Sequence, residues 1–95
     1  MTKRIDGVPN AQVKRLLKMK RSPSGWGQDA VVGAMVAFGF EVREGSAHTI
    51  CFDPEDKRTS VSVPRSRDLR DYIVEDAVNA VEAKLQRKGL SLDDD

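Results

Sequence analysis

The 95-residue chain has one cysteine, one histidine and five aromatic residues, and no apolar run approaching the length of a membrane span. Cys51 by itself can form neither an intramolecular disulfide nor a cysteine-based zinc site. That fits a reducing compartment, and with no leader-like segment the sequence reads as a soluble, cytoplasmic protein with no membrane association. A single imidazole and scattered acids give no metal-ligand spacing, so neither a metal nor another cofactor is expected. Gly25-Trp26-Gly27 lacks the lysine that a phosphate-cradling loop requires. With so few aromatics, aliphatic side chains must do most of the packing. A chain this short forms one domain with a modest core and no large internal substrate cavity.

What is present is charge, and it is segregated. Formal net charge is only +1, yet residues 1–22 carry seven Lys/Arg against one Asp, and residues 29–56 carry one Arg against six acids. Residues 57–70 return to five Lys/Arg against one Asp, and residues 71–95 hold three against seven acids. Alternating blocks of this kind fit a nucleic-acid footprint beside a differently charged face, or a solvated surface of mixed charge.

Periodicity then places the elements. Val13, Leu16 and Leu17 recur at helical spacing from Ala11 to about Lys20, with Asn10 as the N-cap and Pro23 closing the helix near Arg21. Residues 22–27 read as a loop. Its Trp26 covers the apolar helix that follows or stacks a base, the former being the commoner use. Ala30 to Phe38, with Asp29 as N-cap, reads as a buried helix ended by Gly39, where Phe40 folds back on the last turn. The gap between these helices is too long for a helix-turn-helix reader.

Three short strands follow, at Phe40 to Arg43, His48 to Phe52 and Thr59 to Val63, with turns at Gly45-Ser46 and at Asp53 to Asp56. Cys51 reads as a half-buried strand residue. A last helix runs from Arg67 to Arg87 behind a Ser66 N-cap. It carries an apolar stripe of Leu69, Ile73, Val74, Ala77, Val78, Ala80, Val81 and Leu85. Gly89 ends it, and residues 91–95 form an acidic tail. The fold class is α+β: a three-stranded antiparallel meander with helices on one face, preceded by an extra N-terminal helix. The chain divides into a basic extension (residues 1–28), a main domain (29–90) and the tail.

His48 is the one group suited to both giving and taking a proton near neutral pH. His48, Ile50 and Phe52 share strand parity, so a regular strand sends the imidazole to the face that receives Ile50 and Phe52. If that face is the core, His48 reaches solvent only through a bulge at Ala47. Ser46 reads as a turn residue and Arg58, Arg65 and Arg67 as solvated cations. Any of the arginines is also chemically fit to grip a phosphate.

Gly39-Phe40, Gly45-Ser46-Ala47-His48, Val61-Ser62-Val63-Pro64-Arg65 and the helix after them, over roughly residues 29–88, resemble the HicA family of mRNA interferase toxins. The resemblance implies a double-stranded-RNA-binding-like α-β-β-β-α domain and metal-independent endonuclease activity on RNA. It implies a catalytic His48, with Ser46, Arg58, Arg65 and Arg67 near the RNA, and a HicB-like antitoxin protein as partner. Three departures stand out: Ala47 separates the Gly-Ser pair from the histidine, Ser66 follows Pro64-Arg65 where a histidine is common, and residues 1–28 have no counterpart. The alternative is an RNA-binding or partner-binding module that keeps the fold without the catalysis.

Overall fold

Two glycines show how local stereochemistry punctuates this chain. The structure, a computed structural model, describes residues 7–90 and 92, the Lys57 side chain excepted. Its elements in chain order are α1 (Asn10–Arg21), α2 (Gln28–Ala37), β1 (Glu41–Glu44), β2 (His48–Asp53), β3 (Asp56–Pro64) and α3 (Asp71–Arg87). Gly39 ends α2 at φ +93°. Its amide donates to the Val36 carbonyl at 2.9 Å and that of Phe40 to Met35 at 3.1 Å, which satisfies two terminal carbonyls and turns Phe40 into the core. The same pair of bonds closes α3, from Gly89 to Gln86 at 3.0 Å and from Leu90 to Leu85 at 2.8 Å.

The helix starts differ from the sequence expectation. Pro9, not Asn10, caps α1, its carbonyl accepting from the Gln12 and Val13 amides at 2.9 and 3.2 Å. Proline's fixed φ already directs the chain into the helix, so Asn10 falls in the first turn without a capping hydrogen bond. Gly27 rather than Asp29 precedes α2, and Asp29 occupies the first turn, where the helix dipole favours a carboxylate. The last helix begins at Asp71, four residues later than expected, with Arg70 as its cap. Ser66 instead accepts the Asp68 amide at 3.2 Å in a local turn. The Leu69 amide donates to the Trp26 carbonyl at 2.8 Å. That bond ties the loop before α2 to the loop before α3 and holds residues 66–70 outside the helix.

The sheet is antiparallel in the order β1-β2-β3. β1 pairs with β2 in unbroken register from Glu41↔Phe52 to Glu44↔Thr49, and β2 with β3 from His48↔Pro64 to Phe52↔Ser60. The pairing then jumps to Asp53↔Asp56, leaving residues 57–59 as an irregular segment beside the Pro54-Glu55 turn. The α+β class and the three-stranded meander are as the sequence reading expected.

The core lies between one face of the sheet and the helices. Val61 and Val63 of β3, Cys51 of β2, Phe38 and Phe40 meet α2 through Val31, Ala34 and Met35, and α3 through the expected stripe from Ile73 to Leu85. Leu69, expected at the head of that stripe, joins the core from the loop before the helix. α1 adds Val13, Leu16 and Met19 to the same cluster and packs on α3 and α2, so it shares the main core. Trp26 packs against that core, and its indole N–H donates to the Ser22 carbonyl at 2.8 Å. Cys51 is fully buried rather than half-buried. Leu92, expected in the acidic tail, is also core; residues 91 and 93–95 lie outside the described residues.

Candidate functional site

Burial along β2 alternates, and the inward residues are Thr49, Cys51 and Asp53. His48, Ile50 and Phe52 therefore face away from the helices, and His48 is exposed. The bulge expected at Ala47 is absent. The β1–β2 register has no shift, and Ser46 and Ala47 form a two-residue loop between Gly45 and His48. No bulge is needed, because the Ile50 and Phe52 side of the strand is the open side.

Two polar residues hold inward positions because distant segments satisfy them. Thr49 Oγ1 accepts from Gln28 Nε2 of α2 at 2.7 Å. Asp53 Oδ1 accepts from Lys84 Nζ of α3 at 2.9 Å and from the Glu55 amide at 3.0 Å, while its Oδ2 accepts from Arg87. Burial pushes the Asp53 carboxyl up, but these hydrogen bonds and the Lys84 and Arg87 charges outweigh it and hold it below the usual carboxylate range.

The loop that presents His48 is clamped. The Gly45 amide donates to the His48 carbonyl at 2.8 Å, and a Cβ on Gly45 would stand 3.0 Å from that oxygen, so this close approach calls for glycine. Arg65, just past β3, donates to the Ser46 carbonyl at 2.9 Å, the Gly45 carbonyl at 2.8 Å and Glu44 Oε2 at 2.5 Å. Glu44 in turn accepts from the Thr49 hydroxyl at 3.3 Å. A relay from α2 through Thr49, Glu44 and Arg65 thus fixes the hairpin that carries the imidazole.

His48 opens into a groove of about 520 Å³ along the free edge of β3, also lined by Arg58 of β3 and by Tyr72, Asp76 and Asn79 of α3. Arg58 is extended into solvent, its side chain 95 % exposed. The Arg58 amide, followed by the Thr59 hydroxyl and the Arg58 charge, holds the Asp56 carboxyl below its ordinary range. Arg65 and Arg67 line a different depression, beside Gln28 and Asp29 at the start of α2. Ser46 is exposed, and its carbonyl is held by Arg65. Of the four residues expected near RNA with His48, only Arg58 lines the histidine's groove.

Sequence reasoning missed Tyr72, Asp76 and Asn79. Their i, i+4, i+7 spacing marks an outward stripe of α3, but nothing in the sequence says that this stripe borders the edge of β3. It also missed the buried Lys84, which sits at an apolar-stripe position and lies 5.7 Å from the Phe40 ring centre. Among the described residues no group of three or more His, Cys, Asp or Glu side chains is placed to hold a metal ion, and no helix is long and apolar enough to cross a membrane. Comparison with protein-family models, curated proteins and solved structures gives no match to this chain.

Proposed function

We propose that this protein is a HicA-like, metal-independent endoribonuclease of the cytoplasm, built on a double-stranded-RNA-binding-like domain, with His48 as the proton-transfer residue. The observation that carries this reading is the exposed His48, held by a clamped hairpin at the head of a groove that also contains Arg58, Tyr72 and Asp76. In the cleavage, a ribose 2′-oxygen attacks the adjacent phosphorus and the 5′-oxygen leaves. One group removes the 2′-hydroxyl proton, another protonates the departing oxygen, and cations offset the charge gathering on phosphorus. His48 serves as one of the two proton-transfer groups, and Tyr72 or Asp76 is placed on the groove wall to serve as the other. Arg58 lies six residues along β3 from Pro64, the partner of His48, and so about 20 Å down the groove at the rise of an extended chain. There it grips a phosphate further along the RNA strand, and Arg65 acts through the hairpin it holds. A HicB-like antitoxin would silence the enzyme by filling this groove.

The test is purified wild type and His48→Ala with a labelled RNA transcript, scored for both cleavage and binding from about pH 5 to about pH 9, the range over which imidazoles titrate. Wild type should cut, and the variant should bind without cutting. A wild type that cuts no RNA anywhere in that range removes the nuclease reading. One observation favours the second reading, a non-catalytic RNA-binding or partner-binding module: Arg65 is engaged with its own hairpin and Arg67 lies in another depression, which leaves few cations beside His48.

A further inference from the structure

The open face of the sheet carries an apolar feature that the core does not use. Ile50 and Phe52 are half-buried, yet they belong neither to the core cluster nor to the apolar residues packed around it. They line a depression of about 220 Å³, with Arg43 of β1 on one rim and Ser60 of β3 on the other. The register explains the grouping, since Arg43 lies across from Ile50 and Ser60 across from Phe52. His48 lies on the same face of the same strand, two residues before Ile50, about 7 Å away at the rise of an extended chain.

We infer that this depression is a base-binding subsite for single-stranded RNA: an unpaired base stacks on Phe52 against Ile50, and Arg43 holds the neighbouring phosphate. The inference rests on the RNA reading above and names how that RNA is held. An aromatic ring on an open sheet face, flanked by a guanidinium and a hydroxyl, offers the stacking plane, cation and hydrogen-bonding edge that unpaired bases require. Arg43, across from Ile50, supplies the cation for a phosphate beside the apolar pair, and Glu41, across from Phe52, is the single acid on the outward side of β1 and β2. Duplex RNA keeps its bases inside the stack and cannot place one on Phe52. A phosphate at His48 leaves the next base within reach of the depression, so the subsite would position the strand for cleavage.

The experiment measures binding of a labelled single-stranded RNA oligomer, and of a duplex of the same sequence, to wild type, Phe52→Leu, Phe52→Ala, Arg43→Gln and His48→Ala. Circular dichroism checks that each is folded. Phe52→Leu keeps an apolar side chain and removes the ring, so it stays informative if Phe52→Ala fails to fold. Loss of one base–aromatic stack weakens single-strand binding by about 5- to 150-fold, with duplex binding unchanged. Arg43→Gln lowers the salt slope of binding by about one. The inference is overturned if Phe52→Leu binds single strands as wild type does, even where wild type cuts RNA and His48→Ala does not. It is likewise overturned if wild type binds no single-stranded RNA at low salt, or if Phe52→Leu disturbs only the capture of a protein. If Phe52→Leu weakens binding while neither wild type nor His48→Ala cuts RNA, the subsite stands and the nuclease reading falls.

Discussion

Lys84 Nζ lies 2.9 Å from Asp53 Oδ1, and both side chains are almost wholly removed from solvent. Arg87 binds the other carboxylate oxygen, so the β2–β3 turn is tied to the last turns of α3 by charges 31 and 34 residues away in sequence. Removing the Asp53 carboxylate leaves the buried Lys84 ammonium with only the exposed Glu55 at 4.0 Å, while the part-exposed Arg87 keeps Asp56 at 3.5 Å. Stranding the buried charge is more costly than never having had the pair. Asp53→Ala should therefore destabilise the fold by about 3–5 kcal/mol in chemical denaturation, the range for breaking a buried ion pair. A loss below about 1 kcal/mol would place this group with ordinary surface pairs.

The same carboxylate should govern the acid limb of stability. Asp53 holds its proton less tightly in the folded protein than in the unfolded chain. The unfolded state thus takes up the proton first as pH falls, and stability drops through the acidic range below about pH 4. Above that range the contribution is fully present. A melting series across acidic pH should show a steep fall for wild type and a shallower one for Asp53→Asn, which starts from lower stability.

Cys51 should be chemically silent while the protein is folded. Burial, aided by the Glu44 charge, pushes its thiol up to about 11, so almost no thiolate exists near neutral pH. A chromogenic disulfide reagent should modify it at the rate of unfolding, and denaturant should release one rapidly reacting thiol per chain. Rapid labelling of native protein would contradict the buried placement.

Arg65 should matter for turnover more than for RNA affinity. Its guanidinium spans two loop carbonyls and Glu44, which a lysine ammonium cannot reproduce with the same planar fork. On the proposed function, Arg65→Ala and Arg65→Lys should both lower cleavage by about tenfold or more with binding kept, since small misplacements of a reacting group are costly. Arg58→Gln should instead weaken binding and flatten its salt dependence. Equal and parallel losses in the two kinds of variant would show that Arg65 contacts RNA directly.

Much of this fold is legible along the chain because its causes are local. The α3 stripe from Ile73 to Leu85 follows from helical periodicity. The end of α2 follows from Gly39 and Phe40, since only glycine takes that backbone conformation without strain. The two hairpin turns follow from Gly45-Ser46 and Asp53-Pro54. The helix starts were misplaced because a neighbouring segment decided them. The Trp26 carbonyl takes the Leu69 amide, and Pro9 makes an Asn10 cap unnecessary. At the candidate site His48 was legible as the lone imidazole. Tyr72 and Asp76 were not, because helix–strand adjacency joins residues far apart in sequence.

The sequence by itself determined that β2 has two faces, one holding His48, Ile50 and Phe52 and the other Thr49, Cys51 and Asp53. Side-chain alternation requires no more than the extended backbone. Which face meets the helices was decided by the tertiary structure alone, and hydrophobicity would have chosen the other one. Thr49 and Asp53 can be buried because Gln28, Lys84 and Arg87 arrive from distant helices to satisfy them. Their burial turns Ile50, Phe52 and the imidazole of His48 outward.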